Sequence, residues 1–293
     1  MAADLDLRPL SLGEILDRTF TLYRRNFVLF VGITAIPHLL ILAVNLAQTL
    51  FISFPKAPGQ PVMEQLQSNA SLPSNGLLAF GFGGLFIGIV VYLVAYLFSQ
   101  GGTVYAVSEL YLGRTISIGA SLGRMRGQLL SLLGVTILNG LAILGATLFL
   151  LIPGIYVACR LITCVPAALL EDLGPRSSLE RSFKLTKDNA GRSFVIYFLY
   201  FVLLYVATIL FMTPFLFAIA LSAKDPAMMR AWLALSQVGS FIAGVLIGPI
   251  LTIAASVFYY DLRVRKEAFD LQFMMNPAGN IPTGAPGVPT MLS

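Results

Sequence analysis

Charge is scarce in this sequence. Asp, Glu, Lys and Arg make up 11% of it, against about a quarter in soluble domains, and that excludes an ordinary soluble fold. Histidine occurs once, at His38, and cysteine twice, at Cys159 and Cys164. No HExxH, GxSxG, P-loop or dinucleotide fingerprint is present, so no enzyme activity, cofactor or metal is expected. The two cysteines stand five residues apart, on different faces of a helix. That spacing excludes a disulfide or a metal clip between them and leaves them as packing residues.

What the chain has instead is apolar length: 57% of residues are hydrophobic and mean hydropathy is +0.83. Six stretches, near 27–52, 77–98, 128–151, 155–170, 194–221 and 233–258, each approach the ~20 residues that cross ~30 Å of hydrocarbon. The first begins only after 26 residues that include Asp4, Asp6, Glu14 and Asp17 and is too long for a secretory h-region, so it reads as an uncleaved crossing. The expected fold is an all-α integral membrane domain over 1–272, with a disordered tail over 273–293.

Fifteen of the nineteen Lys and Arg residues fall in alternate connections. Arg8, Arg18, Arg24 and Arg25 precede the first crossing. Arg114, Arg124 and Arg126 lie between the second and third. Arg176, Arg181, Lys184, Lys187 and Arg192 lie between the fourth and fifth, and Arg263, Arg265 and Lys266 follow the sixth. The other connections hold only Lys56, Lys224 and Arg230. The positive-inside rule then places both termini in the cytoplasm of a bacterial inner membrane. A net charge of +5 concentrated at membrane exits points to anionic phospholipids rather than nucleic acid.

The cation-rich connections also resemble one another. Arg8 to Gly13 and Arg114 to Gly119 both read R-x-[LI]-S-[LI]-G, and Arg176 to Leu179 is a looser copy. Ser11 with Glu14 and Ser177 with Glu180 have capping-box spacing; the middle copy has Ala120 in place of the glutamate. The spacing predicts amphipathic helices near 11–26, 117–127 and 177–192, each preceding a hairpin of crossings. In the first, Leu12, Ile15, Leu16, Thr19, Phe20, Tyr23 and Phe27 form the apolar face. In the third, Leu179, Phe183 and Thr186 stand opposite Arg181, Lys184 and Lys187. Such helices lie in the headgroup layer or pack on their own bundle, since both use the same face. A carboxylate marks each even-numbered exit: Glu109, Glu171 with Asp172, and Asp261.

Polar groups at membrane depth are few. His38 and Asn139 each lie about 16 Å into a crossing, and Arg160 lies about 9 Å beyond the Pro153–Gly154 turn. The three could converge on an anion as a midmembrane cluster, or His38 could fill a polar gap beside Pro37 while Arg160 reaches the interface. Gly84 and Gly88 form a GxxxG pair, suited to close packing or to a homodimer. Candidate headgroup contacts are Arg18, Arg24, Arg25, Arg124, Arg126, Arg181, Lys184, Lys187, Arg263 and Arg265.

Three motifs add a resemblance. Leu7 to Asp17, Pro166 to Asp172 with Ser178 to Phe183, and Tyr260 to Asp270 resemble the bacterial glycerophosphoryl diester phosphodiesterase membrane-domain family over roughly residues 5–272, with Ala268 where the family has glycine. The resemblance implies a six-helix membrane module. Some members carry such a module ahead of a soluble phosphodiesterase barrel, whose His-Arg motif and acidic metal ligands this sequence does not contain. The expected function is a non-enzymatic module that contacts lipid headgroups or organises a partner enzyme of the membrane or of lipid metabolism. The alternative is a carrier or flippase for a small anionic or lipid-derived solute.

Overall fold

The computed structural model describes residues 9–51, 74–222 and 225–267, without side chains at 50, 51, 74–82 and 226. The expected tail, most of the external loop at 53–76, Lys56, Lys224, and the motif residues Leu7, Arg8 and Ala268 to Asp270 lie outside the described residues. Every regular element among the described residues is helical. In chain order they are α1 Leu12–Arg25, α2 Phe27–Phe51, α3 Ser74–Tyr111, α4 Ile118–Arg124, α5 Leu129–Phe149, α6 Leu151–Arg160, α7 Cys164–Leu170, α8 Pro175–Leu185, α9 Ala190–Leu221 and α10 Pro226–Glu267, with a single 3-10 turn at Met125–Gly127. Six segments are long and apolar enough to cross a bilayer: Phe27–Thr49, Gly83–Tyr111, Leu129–Phe149, Leu151–Leu170, Ala190–Leu221 and Ala227–Glu267. The chain is an all-α, multi-pass membrane protein.

Local chemistry explains the helix starts. Ser11 caps α1, accepting from the Glu14 amide at 3.3 Å, while Glu14 accepts from the Ser11 amide at 2.7 Å, which completes the expected capping box. Ser117 caps α4 through the Ala120 amide at 3.2 Å, but Ala120 returns nothing, so this cap is one-sided. The third expected box does not form. Pro175 occupies the first turn of α8 and starts the helix early. The expected cap, Ser177, thereby falls inside the helix, exposed; its buried neighbour Ser178 donates back to the Gly174 carbonyl at 2.8 Å, and Glu180 pairs with Arg176 instead.

The fourth apolar stretch is not one helix. It breaks at 161–163 into α6 and α7, where the ring of Pro166 removes the amide that would reach the Ile162 carbonyl. Helices α3 and α10 extend well past their apolar stretches, to Tyr111 and Glu267. Their added turns are rich in buried small or tyrosyl residues, such as Thr103, Ala106, Ser108, Tyr259 and Tyr260, which hydropathy alone undervalues.

Two compact units divide the chain. The first comprises Met1–Ile33, Gln100–Leu199 and Pro249–Ser293; the second comprises Thr34–Ser99 and Tyr200–Gly248. The first is centred on Phe30, Met125, Phe258, Tyr259 and Tyr260, all fully buried, and it carries nearly all the ion pairs below. In the second, Gly239 lets its helix approach the Phe211 carbonyl oxygen, 2.7 Å from where a Cβ would stand. Gly84 and Gly88 lie against Gln48 of the same chain, and Gln48 donates to the Gly84 carbonyl at 3.0 Å. Within one chain the GxxxG pair packs against Gln48.

Gly154 closes the turn between α5 and α6. A Cβ there would stand 2.9 Å from the Thr147 Cα and closer still to its hydroxyl. Gly154→Ala is expected to destabilise the protein by about 1–3 kcal/mol through overpacking, whereas Gly145→Ala, with nothing within 4 Å of its Cβ position, should be near neutral. Thermal unfolding followed by thiol-reactive dye in detergent measures both, and equal midpoints for the two variants would contradict the packing.

Candidate functional site

Three of the exit carboxylates, Glu109, Glu171 and Asp261, grip basic side chains, whereas Asp172 accepts from the Gln128 side-chain amide at 3.3 Å. Glu109, at the end of α3, accepts from Arg124 at 2.6 Å and lies 3.8 Å from Arg114. Both arginines come from the connection that follows it, so the pair ties α4 to the span before it. The turn between them needs Gly113 at φ 72°, a left-handed conformation that glycine adopts without strain.

Glu171 is more enclosed. It takes two bonds from Arg181 of α8, at 2.7 and 2.8 Å, and one from the buried Tyr259 hydroxyl at 2.7 Å. Arg263, 3% exposed, lies 3.9 Å away and bonds Glu267 at 3.1 Å, while Arg181 also pairs with Glu267. Two carboxylates and two guanidinium groups therefore neutralise one another where α8 meets α10. Burial opposes the charge on Arg181, but hydrogen bonds with Glu267 and Glu171 outweigh it and hold its pKa above the ordinary arginine value.

Asp261, 1% exposed, holds the start of the fold. It accepts from the Leu10 amide at 2.6 Å, from Arg192 at 2.9 Å and from Arg265 at 3.1 Å. The Leu10 carbonyl accepts from Arg192 at 2.7 Å and from Arg265. Leu10 immediately precedes the cap of α1, so the last span clasps the first surface helix. The three carboxylates play one role at three related places.

This geometry divides the candidate headgroup contacts. Arg181 and Arg263 are committed to carboxylates inside the unit, which removes them from the candidate set. Arg265 is committed to Asp261 and Leu10, Arg18 donates to Tyr111 at 3.1 Å, and Arg124 faces outward only in part. Arg24, Arg25, Arg126, Lys184 and Lys187 are exposed and have no carboxylate partner among the described residues. Around the first two stand Phe20, Phe27 and Val28, also exposed.

The surface helices pack as well as face outward. Ile15 and Thr19 of α1 are buried while Phe20 is exposed. On α8 the buried stripe is Ser178, Ser182 and Leu185, not the expected Leu179 and Phe183. That polar stripe has a purpose: the Ser182 and Thr186 hydroxyls both donate to the Arg160 carbonyl at 2.8 Å, and Thr163 bonds Ser182 at 2.9 Å. The four-residue spacing of Ser178, Ser182 and Thr186 was the available signal.

The expected midmembrane cluster resolves into local partners. Arg160 donates to Thr186 at 3.1 Å, to the Tyr156 hydroxyl at 2.8 Å and to the Phe183 carbonyl. It thus caps the end of α8, together with Lys266, which donates to the Lys184 and Lys187 carbonyls at 3.2 and 2.9 Å. None of these Arg160 bonds goes to His38 or Asn139. His38 Nδ1 lies 2.8 Å from the Thr34 carbonyl and 3.2 Å from the Ser99 hydroxyl, all in the second unit. Asn139 keeps a buried Oδ1 that finds no hydrogen-bond partner among the described residues.

Glu171→Gln should destabilise the protein by about 3 kcal/mol, because it leaves buried guanidinium charge uncompensated. Glu180→Gln, which removes the exposed pair with Arg176, should cost under about 0.5 kcal/mol. Denaturation in detergent compares them, and similar losses would contradict the burial argument. Comparison with known proteins adds no relative: no family model, curated protein or solved structure matches the chain.

Proposed function

We propose that this chain is a non-enzymatic module of the bacterial cytoplasmic membrane, of the kind its three motifs resemble, that holds anionic phospholipid headgroups on a basic rim. Both termini face the cytoplasm on this reading, because the cation-rich connections gather there. The observation that carries it is the division of the cations. One set is fixed by Glu109, Glu171, Asp261 and Glu267, and the other stays exposed without a carboxylate partner among the described residues, with Arg24 and Arg25 next to the exposed Phe20, Phe27 and Val28. A cation beside apolar surface is the composition of a headgroup contact, each worth about 1 kcal/mol toward anionic lipid. A carrier finds less support, since Arg160 and His38 have their hydrogen bonds met by their own surroundings.

Native mass spectrometry of the protein released from mixed nanodiscs, containing phosphatidylglycerol and phosphatidylcholine, tests the reading. Wild type should retain phosphatidylglycerol preferentially, and the triple variant Arg24→Gln, Arg25→Gln, Arg126→Gln should lose roughly fivefold in preference per cation removed. Unchanged preference in the triple variant would overturn the proposal.

A further inference from the structure

We infer that the α5–α6 hairpin dips into the bilayer from the basic side and turns inside the hydrocarbon, so that it engages acyl chains with an apolar tip rather than emerging on the far side. Length supplies the first argument. Arg160, the last residue of α6, bonds Thr186 and the Phe183 carbonyl. Each of these is next in sequence to an exposed lysine, Lys187 or Lys184, and Lys266 bonds the carbonyls of both lysines. Exposed ammonium groups do not lie in hydrocarbon, so Arg160 is held at the polar boundary. This step requires only that the lysines avoid hydrocarbon, not that they bind lipid.

From Arg160 back to the tip, α6 has ten residues, which rise about 15 Å. The other limb is similarly anchored. A Cβ on Gly134 of α5 would stand 2.8 Å from Pro175, whose neighbour Arg176 has a 90% exposed side chain. Gly134 to Phe149 then rises about 22 Å even if the helix stands upright. Both limbs fall short of the ~30 Å hydrocarbon thickness.

The chemistry of the tip supplies the second argument. Leu148, Phe149, Leu150, Leu151 and Ile152 are consecutive and 67–86% exposed. In water such a run would be a liability; among acyl chains it is matched. At the turn Leu150 donates to the Ala146 carbonyl and Gly154 to the Leu150 carbonyl, each at 3.3 Å, and Pro153 has no amide hydrogen to satisfy. The tip continues the exposed apolar flank of the spans, at Leu141, Leu144 and Ile155. A hairpin of this kind ends within the hydrocarbon and acts there as a wedge.

Cysteine accessibility in sealed vesicles tests the inference. Ile152→Cys should react with an impermeant maleimide from either side more than about tenfold slower than Ser222→Cys, in the polar connection before α10, since hydrocarbon excludes the reagent. Reaction of Ile152→Cys at the rate of Ser222→Cys would overturn it. A depth measurement guards against misfolding. With the sole tryptophan replaced (Trp232→Phe) and Ile152→Trp introduced, fluorescence should be quenched most by phospholipids brominated deep in the acyl chain. Strongest quenching by shallow bromines would also overturn the inference. Neither arm involves Arg24, Arg25 or Arg126, so the result stands apart from the headgroup proposal.

Discussion

Buried carboxylates paired with arginines organise the basic end of the first unit, and the placement of its surface helices follows from them. Asp261 takes hold of both backbone groups of Leu10, directly and through Arg192 and Arg265. Glu171 sets α8 against α10 through Arg181 and Tyr259. Such pairs contribute little net stability, because desolvation offsets attraction, but breaking one leaves a buried charge and is costly. Their effect is therefore positional. They exclude arrangements in which a surface helix leaves its span, and they decide which cations stay exposed.

That division bears on how a basic sequence should be read. Fifteen cations in alternate connections suggest a broad electropositive face, yet fewer of them stand exposed without an ion pair among the described residues. Arg263 is nearly as buried as any core residue, while Arg24 and Arg25 stand free of carboxylates among the described residues. Counting charge predicts an orientation; only geometry sorts paired charge from exposed charge. The hairpin tip shows the same point for apolar residues. Leu148 to Ile152 read as the end of two crossings, but the level at which Arg160 is held limits how far they reach.

Much of the fold was legible because it rests on period and composition. The six apolar stretches, the cap at Ser11 and Glu14, the one-sided cap at Ser117 and the three exit carboxylates follow from residue types at fixed spacing. Other features were hidden for physical reasons. Pro166 breaks the fourth stretch, though prolines inside α2, α9 and α10 do not break theirs, because the break is stabilised by hydroxyls of a distant helix. The third capping box failed since Pro175 offered an earlier start. Partners such as Tyr259 for Glu171, 88 residues apart, have no local signature. The proposed site was half legible: residue types were visible, but their partners were not.

Amide hydrogen exchange of the detergent-solubilised protein tests most directly whether the exit carboxylates hold the surface helices. With Asp261→Ala, exchange at Leu10 and through the first turns of α1 should accelerate strongly while α8, held by Glu171, keeps its protection. Unchanged protection of α1 in that variant would contradict the account.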